Sequence, residues 1–109
     1  MPNKYTVWRG VFPMIMHIVM FKFKENTAQR DISEAQQQIE QLIDLVPGLQ
    51  YIKTGLNFAD EARAMDMVLM SNFDSREDLD FYATHPEHLK VIDFIKTIAD
   101  YTKVVDFEA

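Results

Sequence analysis

Residues 14–24, MIMHIVMFKFK, read as a β-strand that is apolar on both faces. At a period of two, Ile15, His17, Val19, Phe21 and Phe23 share one side, and Met14, Met16, Ile18 and Met20 share the other before Lys22 and Lys24 close it. Both faces of such a strand should be buried, so something must pack on both rows.

The next segment supplies the cover for one row. From about Thr27 or Ala28 to Val46, Ile32, Ala35, Ile39, Leu42, Ile43 and Val46 recur at spacings of three and four, which is one face of a 3.6-residue period. Glutamines and Glu40 fill most of the opposite side, and Pro47-Gly48 ends the helix. Leu49 to about Phe58 reads as a second strand. A polar loop from Ala59 to Ala64 leads to a third, Met65 to Phe73. Asp74-Ser75 then opens a short helix. His85-Pro86 breaks it, because the residue before a proline avoids the α region, while Pro86 is itself a good first residue for a new helix. Thr84 is placed to cap that second helix through Glu87, and Leu89, Ile92, Ile95 and Ala99 form its buried stripe. A last strand runs from about Tyr101 to Phe107. The order strand, helix, strand, strand, helix pair, strand is a split βαβ unit used twice: an α+β, ferredoxin-like fold with a four-stranded antiparallel sheet. It occupies residues 14–109. Residues 1–13 stand apart, as an extra edge strand, a disordered lead, or sequence upstream of a start at Met14.

In this layout the helices cover one face of the sheet only. Met14, Met16, Ile18 and Met20, with Val68 and Met70 or their alternates, are expected on the other face. Leaving such side chains in water forgoes roughly 1.5–3 kcal/mol each, more than a soluble surface tolerates in one patch. The simplest cover is the same face of a second copy, so the expected assembly is a homodimer through the open sheet face, a dimeric α/β barrel.

Composition narrows the partners. Eleven Lys and Arg stand against 17 Asp and Glu, a formal charge of −6, and the basic residues form no run. Nucleic-acid binding needs a concentrated positive stripe, so none is expected. The absence of cysteine rules out disulfides, thiolate metal sites and a cysteine nucleophile. Val11 to Phe21 imitates a signal peptide behind Lys4 and Arg9. Pro13 and His17 interrupt it, no small-residue cleavage site follows, and it is too short to span a bilayer. A cytoplasmic protein with no membrane partner is expected. Three glycines make no phosphate-binding loop, and the seven methionines read as core and interface filler.

Three segments together carry a likeness: residues 16–24 (MHIVMFKFK), Tyr82-Ala83-Thr84-His85-Pro86-Glu87-His88, and Val104-Val105-Asp106-Phe107. With them the chain resembles the stress-responsive A/B barrel (Dabb) family over nearly all of residues 14–108. The resemblance implies a ferredoxin-like fold, a dimer whose two sheets form a barrel, and a small-molecule cavity between each sheet and its own helices. A plant branch of that family is a polyketide cyclase using the motif's tyrosine and second histidine as acid/base groups. Those roles fall here on Tyr82 and His88. The cavity-lining histidine of the first strand falls on His17, and the aspartate of the last strand on Asp106. The likeness stops short of the substrate. By ungapped count, Ile39 stands where that branch has a tyrosine and Met67 where it has a histidine, which makes the pocket less polar.

Residue chemistry agrees with parts of this. Imidazole titrates near neutrality, so His88 can take and give a proton, and its place in the first turn of a helix favours the neutral, basic form. Tyr82, across the Pro86 break, is placed to donate a hydrogen bond to an oxygen gaining negative charge. His17 shares a face with Ile15, Val19 and Phe21, a setting as natural for a satisfied core histidine as for a catalyst. Asp106 is a candidate to orient His88, or else a solvent-facing acid. His85 is expected to point elsewhere. Its spacing from His88 is not the i, i+4 pattern of helical metal ligands, so no metal and no cofactor are expected.

Three functions fit. One is a cofactor-independent acid/base enzyme of the cyclase, isomerase or lyase type acting on a small, apolar carbonyl compound, with Val19, Phe21 and Ile39 holding the substrate. A second is a non-enzymatic dimer that binds a ligand or partner under stress. A third borrows from other dimeric α/β barrels, the cofactor-free monooxygenases and haem-degrading enzymes, on fold alone.

Overall fold

The computed structural model describes residues 14–109; the three readings of residues 1–13 lie outside the described residues. The elements run β1 (Ile15–Phe23), α1 (Gln29–Gln41), a 3₁₀ turn (Leu42–Asp44), β2 (Leu49–Leu56), β3 (Met67–Phe73), α2 (Arg76–Thr84), α3 (Pro86–Ile98) and β4 (Ala99–Glu108). The four strands form one antiparallel sheet in the order β2-β3-β1-β4, the expected ferredoxin-like arrangement.

β1, the strand apolar on both sides, lies inside the sheet between β3 and β4. It pairs His17 with Ser71 of β3 and with Asp106 of β4, then Val19 with Leu69 and with Val104. The register with β4 shifts between Lys22 and Phe23. One layer of helices lies on the odd row. Ile15, Phe21, Leu69 and Phe73 from the sheet meet Ile39 and Leu42 from the first helical segment in a single core.

Three local expectations change. The first helix gives way to a 3₁₀ turn after Gln41 instead of running on to Val46. Pro47 disfavours helical geometry at the residue before it, so the last turn tightens. Gly48 then turns the chain at φ 92°, and a Cβ there would lie 3.0 Å from the Asp78 side chain, which seats α2 against this corner. The cap of α3 is His85, not Thr84: the His85 Nδ1 accepts the Glu87 N–H at 3.1 Å, and the Thr84 hydroxyl instead donates to the Asp80 carbonyl. Finally, Met14 and Met16 are buried, whereas Met20, Met70, Val105 and Phe107 are exposed. Met14 is held at the strand end by reciprocal backbone bonds with Ala109, and Met16 sits between Asn72 and Phe107 on its two neighbouring strands. The uncovered part of the open face therefore lies further along β1 and across β3 and β4. No helix among the described residues is long and apolar enough to cross a membrane.

Candidate functional site

The proline break between α2 and α3 builds the site. His85 is extended (φ −64°, ψ 135°), as a residue before proline must be, so the end of α2 and the start of α3 meet at an elbow. Tyr82, in the last turn of α2, and His88, in the first turn of α3, therefore face each other with ring centres 4.1 Å apart. Tyr82 is 2% exposed. Its ring also packs on Phe73 at 5.1 Å and meets the edge of His17 at 6.0 Å. The phenol ring thus meets two imidazoles, one from a helix and one from an interior strand.

Hydrogen bonding fixes both imidazoles in the same sense. The Ala83 carbonyl can only accept, so the Nδ1 of His88, 3.1 Å away, carries the proton and donates it there. The carboxylate of Asp106 likewise accepts the Nδ1–H of His17 at 2.5 Å. Each ring is left with Nε2 as its free nitrogen. Burial pushes the pKa of His88 below the ordinary 6.5, and the nearby His17 and His85 push it the same way, against the opposing pull of the Ala83 hydrogen bond. His88 is therefore a neutral base at pH 7. Burial raises the Tyr82 pKa far above the ordinary tyrosine value, so the ring stays a phenol and acts as a hydrogen-bond donor.

These groups open onto a cavity of about 440 Å³ between the sheet and the helices, within the usual range for small-molecule sites. His17, Tyr82 and His88 line it together with Val19, Phe21 and Ile39. Asp106 does not line it. It lies behind His17, and the orienting role expected of it at His88 falls to the Ala83 carbonyl; strand register carries Asp106 to His17 instead. His85 is occupied as the α3 cap and by an edge contact with Phe81 at 5.5 Å.

Ile95, from the expected buried stripe of α3, and Val104, from the last motif, also line the cavity. Val91, Lys96 and Thr102 line it too and are not evident from the sequence motifs. Helical spacing from His88 (three and eight residues on) is the signal for the first two. Among the described residues no three His, Asp or Glu side chains gather as a metal would require. The walls are mostly hydrocarbon, with acid/base groups at one end, so what the cavity offers is apolar binding next to proton transfer.

The model of the "Stress Responsive A/B Barrel Domain" family matches residues 15–109. A stress-response A/B barrel domain-containing protein of Arabidopsis thaliana is 34% identical over 79 residues, which is 72% of this chain. The aligned part is 30% of that relative, so the chain spans well under half of its length. Among solved structures, a dimeric protein of unknown function with a ferredoxin-like fold from Bacteroides fragilis superposes with a TM-score of 0.77 at 29% identity, covering 88% of this chain and 96% of that one. The hydroxynitrile lyase of Passiflora edulis superposes with a TM-score of 0.81 at 19% identity, covering 89% of this chain and 94% of that one, a likeness of fold alone.

Proposed function

Because this chain belongs to the stress-responsive A/B barrel domain family, we propose that its cavity carries out cofactor-independent acid–base chemistry on a small, largely apolar carbonyl compound. The observation that carries this reading is the contact of Tyr82 with two imidazoles whose free Nε2 atoms are set by bonds at Nδ1, beside an apolar cavity.

The substrate's hydrocarbon part rests on Val19, Phe21 and Ile39 with its carbonyl toward Tyr82. His88, kept neutral by burial, takes a proton from the carbon next to the carbonyl through Nε2. The Tyr82 hydroxyl donates to the carbonyl oxygen as it becomes an enolate or alkoxide, and it does so in a site where burial strengthens the bond. The His88 imidazolium so formed returns the proton to the product carbon, while His17, held in plane by Asp106, flanks the phenol ring and stabilises that charge through its free Nε2. Aldol-type cyclisation, keto–enol isomerisation and retro-aldol lyase reactions each pass through such an enolate. The Passiflora lyase shares only the fold and brings neither substrate nor reaction class with it.

The working unit is a homodimer formed through the open face, where Ile18, Met20, Val68, Met70, Val105 and Phe107 present hydrocarbon. The dimeric Bacteroides neighbour supports this assembly.

The test works without the natural substrate in hand. A panel of apolar ketones and aldehydes in D₂O is followed by NMR for protein-dependent deuterium uptake at the α-carbon. Uptake that falls by roughly 10²–10⁴ in His88→Ala, with fold and assembly intact, supports the reading. Ligand binding with no uptake by any compound, or uptake untouched by the substitution, refutes it and leaves a binding module.

A further inference from the structure

The cavity has a second polar end, and the distance to it is set by two independent scaffolds. Along α3, the lining residues run from His88 to Lys96, eight residues, or about 12 Å at the helical rise. Along β1 they run from His17 to Phe21, four residues, or about 13 Å at the strand rise. The strand register aligns the two, because His17 is opposite Asp106 while Phe21 is opposite Thr102, next to Asp100 and Tyr101. The cavity is thus a trough with the Tyr82 cluster at one end and Lys96 at the other. Val19, Ile39, Leu69, Val91 and Ile95 make the hydrocarbon walls.

The far end carries ammonium groups although the chain has a net charge of −6. Lys24 is tied there by its backbone N–H to the Ile98 carbonyl at 2.8 Å and by its ammonium to the Thr97 carbonyl at 3.4 Å. Beside Lys24 and Lys96 stand the carboxylates of Asp100, on the cavity wall, and Glu25, in the turn after β1. Lys22, Arg63, Arg76 and Lys90 each make an ion pair, whereas Lys96 makes none among the described residues. Its place in the last turn of α3 suits the helix dipole, but an end-of-helix lysine need not lie along an apolar trough. Lys96 is exposed and lines the trough, a setting in which a lysine lays its stem along hydrocarbon and keeps its ammonium toward water.

We propose that the trough selects an anionic amphiphile: a carbonyl compound with a carboxylate-type anion about 12 Å from the reacting carbonyl, the anion meeting Lys96 and the carbonyl meeting Tyr82 and His88. The assignment rests on the acid–base reading of the cavity and adds a specificity residue to it. Neutral apolar ketones fill the walls but leave Lys96 unused, and short oxo acids cannot reach both ends.

The probes are 9-oxodecanoate, 2-decanone, 5-oxohexanoate and 10-amino-2-decanone, with binding followed by calorimetry on the full chain. 9-Oxodecanoate is expected to bind about tenfold more tightly than either 2-decanone or 5-oxohexanoate, the scale of one charge-assisted hydrogen bond. Lys96→Gln is expected to abolish the advantage of 9-oxodecanoate over 2-decanone, read as the ratio of the two affinities within the variant. Equal binding of the acid and the neutral ketone overturns the proposal. So does tighter binding of the amine, which would make Asp100 the selecting charge, or an advantage that survives Lys96→Gln. Deuterium uptake by 2-decanone, which lacks the anion, separates the two ideas. Uptake lost in His88→Ala without any preference for the acid removes Lys96 alone, whereas acid-selective binding with no uptake from any probe removes the catalytic reading and keeps the trough as a binding site.

Discussion

The carboxylate of Asp106 accepts the Nδ1–H of His17 across the strand register that sets β1 against β4. The bond leaves His17 Nε2 free and fixes the plane of its ring next to Tyr82. Asp106 is half exposed and touches the cavity only through His17, so it acts as a positioning residue. Asp106→Ala should lower α-proton exchange by roughly 10–100-fold, less than the loss on removing His88 itself, with little change in thermal stability. Nitrogen NMR shifts of His17 should move toward a mixture of tautomers. A full rate with unchanged shifts would mean that packing alone orients the ring.

The pH dependence follows from His88. Burial and its histidine neighbours hold its pKa below the ordinary 6.5, so the neutral base persists at pH 7 and the acidic limb of the rate profile falls below 6.5. The same shift has a sign in stability. Above 6.5 both folded and unfolded chains carry a neutral His88. Below it the unfolded chain takes the proton first, so stability falls as the pH descends through this window, and it levels off once the folded His88 also titrates. Urea unfolding at a series of pH values should show this component in the native protein and lose it in His88→Gln. The charges to be weighed around the ring are those of His17 and His85, the two other groups that shift it. An NMR titration placing His88 above 6.5 would contradict the assignment.

Much of this architecture could be read from local pattern. Hydrophobicity on both rows of residues 14–24 marks β1 as a strand to be covered on both faces, and Pro86 marks the elbow that brings Tyr82 to His88. Less legible was anything set by the pairing of distant segments. Asp106 is 89 positions from His17, and only the β1–β4 register decides that it serves this histidine and not His88. Met14 and Met16 look like open-face residues by alternation, yet both are buried, while Phe107, the strand partner of Met16, is exposed. His85 takes the cap from Thr84 because an imidazole nitrogen can accept a backbone N–H as a hydroxyl oxygen does, an option that a capping pattern built on Ser, Thr, Asp and Asn does not include.

Tyr82 separates structure from chemistry cleanly. Its ring fills space between Phe73 and His88, while its hydroxyl is the proposed oxyanion donor. Tyr82→Phe keeps the ring, so stability should change little while the exchange rate falls by roughly 10²–10³. Tyr82→Ala should also open a core cavity and cost about 3–5 kcal/mol in chemical denaturation. If the phenylalanine variant keeps the full rate, the hydroxyl takes no part, and its burial is purely a matter of packing.

The open face makes the last prediction. Met70 and Val105 lie on the side of the sheet away from the helices, on β3 and β4, each directly opposite Ile18 of β1. Both are exposed in the single subunit, Met70 at 41% and Val105 at 55%, so a glutamate at either position meets water and should leave the subunit fold intact. In a dimer joined through this face the same carboxylate is buried against hydrocarbon, where an unpaired charge is far more costly than any single packing contact. Met70→Glu and Val105→Glu should therefore shift light scattering from dimer to monomer at micromolar concentration, with circular dichroism unchanged. If both variants remain dimeric, the two copies meet elsewhere. If the unmodified chain is already a folded monomer, the hydrocarbon row along Ile18, Met70 and Val105 is covered by something other than its own twin.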